Sequence, residues 1–204
     1  MKKTLRRPKK EEESFTPKEL ESHNVFVIVE DSKLKLYSPL LRIITSQCME
    51  FFSNRQNNKK PTILFSIDEF ASFGRMEITE ALRKLRKKGI RIMVLTQSMA
   101  DIDMIYGRDE RMSMMNNFRF CVILGITDNA TLEFFSTLIG HNEVTKYCQL
   151  QSANNVTTSV SQSRERIIEA EDLAHLGTQI VLLHPDGHIL LQQYFYSNSV
   201  LART

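Results

Sequence analysis

The chain has 204 residues, is 42% hydrophobic and 25% charged, and carries a formal net charge of +3. That length accommodates one domain, or one domain with added segments, and no apolar run reaches the roughly 18–20 residues of a membrane helix. The charged amino terminus lacks the apolar stretch of a secretory signal, and Cys48, Cys121 and Cys148 are too scattered for a disulfide or zinc framework, so buried thiols in a reducing, cytoplasmic setting are expected.

Residues 1–22 hold few apolar side chains. Lys2, Lys3, Arg6, Arg7, Lys9 and Lys10 are answered by Glu11, Glu12 and Glu13, which predicts a disordered charged leader. Residues 25–29, Val-Phe-Val-Ile-Val, predict a short buried strand. Ser38 and Pro39 predict a helix start, with Leu40, Leu41, Ile44, Cys48, Phe51 and Phe52 on its inner face. Past a polar connection over 54–60, Pro61 leads into residues 63–67, a strand that reads as buried on both faces and ends in Asp68 and Glu69.

A helix over 77–88 turns Ile78, Ala81, Leu82 and Leu85 inward and Arg83, Lys84, Arg86, Lys87 and Lys88 outward, and Gly89 stops it. A strand over 90–95 closes with Thr96 and Gln97, and a helix near 98–105 leads to Tyr106 and Gly107. Another strand spans 118–124, and Asp128 caps a helix bearing Leu132, Phe135, Leu138 and Ile139 up to Gly140. Residues 149–166 are polar and aperiodic, predicting a mobile loop. Residues 180–183 and 189–191 flank Asp186-Gly187, a hairpin signature. Strands alternating with helices over 25–140 imply an α/β fold built on a mostly parallel sheet, with helices on its flanks. The organisation is therefore a leader at 1–22, a core at 23–148, the loop at 149–166, and at 167–204 a hairpin packing on the core.

Two carboxylates at the carboxyl end of a buried strand cost solvation unless something there uses the charge, and in open α/β sheets ligands bind at that end. This is the pattern of a Walker B strand, in which Asp68 holds the water shell of a nucleotide-bound Mg²⁺ and Glu69 polarises the attacking water. A core strand running into an exposed acidic turn gives the same pattern. Sequential parallel strands are usually neighbours, so Gln97 is expected beside the acids, where an amide can sense a terminal phosphate. His184 and His188 flank a turn and read as turn residues. The Met112, Met114 and Met115 group reads as core or interface filling. Either the leader or the helix carrying Arg83 to Lys88 could meet nucleic-acid phosphates, and either could be a solvated surface.

Ile-Asp-Glu-Phe-Ala-Ser-Phe-Gly (67–74) resembles the Walker B signature of conjugative coupling proteins of the TraG/TraD type, part of type IV secretion. So do Lys-Gly-Ile-Arg-Ile-Met-Val-Leu-Thr-Gln-Ser (88–98), Ile-Tyr-Gly (105–107), Asn117 to Phe120, and Thr127-Asp128 with Leu138-Ile139-Gly140. The series continues with Ser163-Arg164, Glu171-Asp172-Leu173 and Tyr194-Phe195-Tyr196, and it covers about residues 25–197. The resemblance implies a RecA-like hexameric ATPase acting at the inner face of the bacterial membrane. Such motors use ATP and Mg²⁺, receive the relaxase–DNA complex with relaxosome accessory proteins, and drive single-stranded DNA into the secretion channel. It assigns Asp68 to magnesium through water, Glu69 to catalysis and Gln97 to phosphate sensing. Arg86 is assigned to a neighbouring subunit's nucleotide.

None of the seven glycines belongs to a Gly-x-x-x-x-Gly-Lys-Ser/Thr loop, so the backbone amides and lysine that cradle phosphates are absent from this sequence. The chain alone is expected not to hydrolyse ATP. In RecA-like proteins the phosphate-loop strand lies between the strands that correspond here to 90–95 and 118–124. Those two should therefore be separated or pair directly. Three functions follow: part of a coupling ATPase completed by a phosphate-loop (Walker A) half, a nucleotide-independent docking module for relaxosome or channel proteins, or a piece of another FtsK- or AAA-like translocase acting on single- or double-stranded DNA.

Overall fold

The computed structural model describes residues 15–152 and 155–194, which divide into two units, one of 15–96 with 102–117 and one of 97–101 with 118–152 and 155–194. In the first unit, helix α1 spans Asp31–Ser53 and buries Leu41, Cys48, Met49 and Phe52. It starts after Glu30, a full two turns before the predicted cap, and Pro39 lies inside it. Proline there has no N–H for the carbonyl of Lys35, but the Ser38 hydroxyl donates to that carbonyl at 3.3 Å. The serine that reads as a cap instead repairs the proline's lost hydrogen bond.

The strand predicted over 25–29 does not form. Those residues adopt no regular structure, enter no sheet, and leave Phe26 81% and Ile28 89% exposed. High β-propensity is realised only where the chain meets a partner edge, and none of the described strands pairs with this segment.

Strand β1, Ile63–Ile67, pairs in parallel with β2, Ile90–Val94, in the register Ile63↔Ile90 to Ile67↔Val94. Helix α2, Ile78–Leu85, continues as a short 3-10 turn over Arg86–Lys88 and ends at Gly89 with φ 77°, as the pattern predicts. One face of the pair buries Ile63, Ile67 and Ile90, and Phe65 meets Phe52 edge-on at 6.3 Å. The opposite face leaves Leu64, Met93 and Leu95 exposed, so β1 is covered on one face rather than both. Helices α3, Met99–Tyr106, and α4, Arg108–Met115, follow, hinged at Gly107. Helix α4 has no counterpart in the sequence reading. Its buried Arg111 donates through Nε to Asp103 at 2.6 Å, which ties α4 back to α3.

The leader is not unstructured throughout. Residues 1–14 lie outside the described residues, but Pro17–Glu21 form a 3-10 turn in which the Thr16 N–H donates to the Glu19 carboxylate at 3.1 Å. Glu21 anchors that turn, accepting from Lys59 Nζ at 2.9 and 3.0 Å and from Arg55 Nε at 3.0 Å. The Lys59 ammonium, and then the Arg55 guanidinium, hold its carboxyl below the usual glutamate range against the opposing cost of desolvation. A depressed carboxylate contributes stability above its unfolded value and loses it as pH falls through the folded one. Acidification below about pH 4, the ordinary glutamate range, is therefore expected to release the 16–22 turn. Hydrogen exchange of the amides of Glu19, Ser22 and His23 should rise there while the β1–β2 ladder stays protected.

In the second unit, β3, Cys121–Ile123, pairs antiparallel with β6, Gln179–His184, which forms the predicted hairpin with β7, Gly187–Gln192. The two strands expected either to separate or to pair do not pair: β2 bonds only β1, and β3 only β6, among the described residues. Among the described residues parallel pairing is confined to β1–β2. Helix α5, Asn129–Ile139, begins where the Asp128 carboxylate accepts from the Thr131 N–H at 2.9 Å, and Ser136 Oγ donates to the Ile168 carbonyl at 2.6 Å. Leu173 of the short helix α6, Ala170–Ala174, is fully buried, as is Val181. Burial pushes the Cys121 thiol up to about 11. The other sheet face leaves Phe120, Val122, Leu124, Ile189 and Leu191 exposed.

Residues 149–166 are not a loop. Strands β4, His141–Ser152, and β5, Asn155–Arg166, form a twelve-residue antiparallel ribbon from His141↔Arg166 to Ser152↔Asn155. A ribbon of mostly polar residues shows no apolar alternation, so periodicity misses it. Val156, Thr157, Thr158 and Val160 supply β-branched propensity instead. Cys148 and Phe195 to Thr204, parts of the core and hairpin readings, have no described side-chain surroundings.

Candidate functional site

Asp68 and Glu69 follow β1 directly, at the carboxyl end of the parallel pair, and both are exposed. The pairing runs on past the strands: Leu95 N–H donates to the Ile67 carbonyl at 3.0 Å, and Phe70 N–H donates to the Leu95 carbonyl at 2.9 Å. Leu95 and Thr96 are thereby held alongside the acidic turn. Glu69 adopts a left-handed conformation, φ 48° and ψ 45°, and its N–H donates to Asp68 Oδ1 at 2.9 Å. A non-glycine residue in that region is strained, and such strain persists where the surroundings over-determine it.

Here the surroundings are the turn that follows. Phe70–Phe73 form a 3-10 turn, Phe70 is fully buried, and its ring stacks on Tyr106 at 5.7 Å. The Tyr106 hydroxyl accepts the Met76 N–H at 3.1 Å and donates to the Gly74 carbonyl at 3.3 Å. Burial raises this phenol, so it stays a neutral donor and acceptor. Arg75 lies over the same ring at 5.7 Å and pairs with Glu110 at 2.5 Å. Tyr106 thus clamps both ends of the segment that carries the chain away from the acids.

Tyr106→Phe keeps the stack but leaves the buried Met76 N–H without its acceptor, a loss of about 1–2 kcal/mol. Urea unfolding should read that loss. Faster exchange confined to the Met76 amide and its neighbours, with β1 unchanged, would locate it.

Adjacent carboxylates suit Mg²⁺ in one way. That ion keeps several waters and takes one or two carboxylates together with substrate phosphates. Among the described residues no group of three His, Cys, Asp or Glu side chains could hold a metal unaided. Asp68 and Glu69 therefore fit a magnesium that arrives with a phosphate chain, and do not make a free-standing cation site.

Gln97 is exposed and opens the second unit, while Asp68 and Glu69 belong to the first. Arg86 sits in the 3-10 turn before β2, at the amino-terminal edge of the pair, so the fold does not bring it to the acids of its own chain. Arg83, the residue most readily confused with it, donates to Ser113 Oγ at 3.0 Å. Sequence reasoning missed Tyr106 and Arg75 as the support of the acidic turn. The Tyr-Gly pair at 106–107 was the available signal, since an aromatic ending a helix before a left-handed glycine often packs back on its neighbours.

With this geometry in place, three comparisons bear on the chain. The family model described as "TraM recognition site of TraD and TraG" matches residues 62–178, more than half of the sequence. The conjugal transfer protein TraG of Agrobacterium fabrum is 26% identical over 145 residues, 70% of this chain and 21% of that protein. A probable conjugal transfer protein TraG of Sinorhizobium fredii is 28% identical over 123 residues, 59% of this chain and 19% of that protein. The chain thus spans about a fifth of the length of these relatives. The bacterial conjugative coupling protein TrwB, in an unbound form, superposes with a TM-score of 0.75 at 23% identity, covering 88% of this chain and 43% of that one. TrwB has also been solved with ADP and Mg²⁺, and that form matches with a TM-score of 0.73 at 22% identity over 91% of this chain and 45% of the other. These likenesses establish a RecA-like α/β fold, and with the match over 62–178 they show that the chain belongs to the TraG/TraD family of conjugative coupling proteins.

Proposed function

We propose that this chain carries the Walker B part of a coupling ATPase for conjugative DNA transfer and acts on nucleotide only when another polypeptide segment supplies a phosphate-binding loop. The observation that carries this reading is the acidic turn itself: Asp68 and Glu69 at the carboxyl end of a parallel strand pair, with Glu69 strained and the following turn clamped by Tyr106. The TrwB complex with ADP and Mg²⁺ supports nucleotide and magnesium as the ligands. Asp68 would hold the ion through water and Glu69 would take a proton from the attacking water. Gln97 would report the terminal phosphate, and Arg86 would reach a nucleotide bound by a neighbouring subunit of a homo-hexamer. The metal's contribution when bound is to neutralise charge on the transferred phosphoryl group.

The need for a second segment has its own support. The sequence contains no Walker A loop, and each unit leaves one apolar sheet face open, Leu64, Met93 and Leu95 in the first and Phe120, Val122 and Leu124 in the second. Patches of this kind mark surfaces that pack against something. The motor so completed would receive relaxase, relaxosome proteins and DNA and pass single strands to the secretion channel at the inner face of the membrane. Among the described residues no helix is long and apolar enough to cross that membrane.

Mixing the chain with a polypeptide bearing the family's Walker A loop is the test. DNA-stimulated ATP hydrolysis should appear in the mixture and in neither part alone. Stable association without any hydrolysis would overturn the enzymatic reading. That outcome favours a second one, a docking module without turnover, which the matched family's description as a TraM recognition site supports through relaxosome-type partners.

A further inference from the structure

Gln97 and its neighbours through Asp101 belong to the second unit, and a buried threonine of that unit takes hold of them. Met99, the first residue of α3, donates its N–H to Thr131 Oγ1 at 3.0 Å, and Thr131 is only 2% exposed. The first N–H groups of a helix have no partner inside it. This bond, with a second from the Asp101 N–H to Ser98 Oγ at 3.1 Å, therefore fixes where α3 starts, two residues past Gln97.

The Thr131 hydroxyl is itself held in one orientation. It donates to Asp128 Oδ2 at 2.5 Å, and the same oxygen accepts the Thr131 N–H at 2.9 Å as the cap of α5. The hydroxyl and then the N–H of Thr131 keep the Asp128 carboxyl below the usual aspartate range, so at neutral pH it is ionised. An ionised carboxylate can only accept, so the hydroxyl proton must point at Asp128 and a lone pair is left for the Met99 N–H. Capping α5 needs only the Thr131 N–H. The hydroxyl is therefore surplus to that helix and serves residues 97–101.

We infer that Thr131, oriented by Asp128, is a positioning residue that sets Gln97 for the terminal phosphate by holding the Met99 amide. The inference rests on the phosphate-sensing role proposed above for Gln97. Releasing the Met99 N–H lets α3 fray from its first residue, and Gln97 shifts with the short stretch of backbone that joins them. A shift of about 1 Å in a group that must meet the reacting phosphate can cost about 100-fold in rate.

Thr131→Val keeps the shape of the side chain and the N–H that caps α5, and removes only the hydroxyl; Thr131→Ser keeps the hydroxyl. In the full chain alone, Thr131→Val should quicken exchange of the Met99 amide about fivefold, with the β6–β7 hairpin unchanged. In the mixture with the Walker A polypeptide it should lower kcat about 10- to 100-fold at unchanged KM for ATP. Thr131→Ser should return kcat to within about twofold of the parent. Added to Gln97→Ala, Thr131→Val should cost nothing further, because a residue that acts through Gln97 then has nothing to position. The control is Ser136→Ala, which removes a buried hydroxyl of α5 bonded instead to the Ile168 carbonyl; it should leave kcat within about twofold. Parent exchange or parent kcat in Thr131→Val, additive losses in the double variant, or an equal loss in Ser136→Ala would overturn this assignment while the Walker B reading stands. Absence of turnover in the parent mixture would instead remove the Walker B reading, and this assignment with it.

Discussion

Glu69→Gln is expected to reduce ATP hydrolysis by the reconstituted pair of polypeptides about 100- to 10,000-fold, the range contributed by a positioned general base. The substitution keeps the shape of the side chain and its left-handed backbone, φ 48°, so the turn should be preserved. What it removes is the carboxylate proposed to accept the proton of the attacking water. Nucleotide affinity should change little, because the proposal gives the magnesium shell chiefly to Asp68. Asp68→Asn should behave differently, raising the magnesium concentration needed for half-maximal rate. Equilibrium nucleotide binding and a magnesium titration separate the two effects. Retention of wild-type turnover by Glu69→Gln would sink its catalytic assignment.

Arg55→Ala should produce the largest loss of stability in the first unit, on the order of 3 kcal/mol. The Arg55 side chain is nearly inaccessible and its guanidinium serves the carbonyls of Lys59, Lys88 and Pro61 besides the Glu21 carboxylate. Removing it deprives several part-buried acceptors of their donor at once and empties the space beside Phe52, over whose ring it lies at 5.8 Å. Gly89→Ala should weaken the same joint by another route, since φ 77° disfavours a side chain and the Lys59 backbone cannot yield as a flexible side chain would. Urea denaturation read by far-ultraviolet circular dichroism measures both. A midpoint for Arg55→Ala within error of the parent would show that the three carbonyls find other donors.

The contrast between these sites shows how far the sequence reaches. Asp68 and Glu69 were legible because a buried apolar strand ending in two acids is a local pattern, and local patterns survive folding. The Gly89 helix stop, the Asp128 cap and the hairpin at Asp186-Gly187 were legible for the same reason: each is settled within a few residues by backbone conformation and one hydrogen bond. Pro39 misled because its usual place is the first turn, and only the Ser38 hydroxyl bonding Lys35 makes its internal place tolerable. The unformed strand over 25–29 and the ribbon β4–β5 failed in opposite directions. Strand formation depends on a partner edge, and no single stretch of sequence states whether one is available.

By itself, then, the sequence determined the acidic strand, the absence of a phosphate loop and the family resemblance that the match over 62–178 establishes. Tertiary structure alone decided that Tyr106 secures the turn behind Glu69, that Arg55 joins the connection before β1 to the turn before β2, and that Arg86 lies on the far edge from the acids. The first set rests on short-range chemistry along the chain. The second rests on contacts between residues some 30 positions apart, such as Tyr106 with Met76 and Arg55 with Lys88, which exist only once the chain has closed on itself.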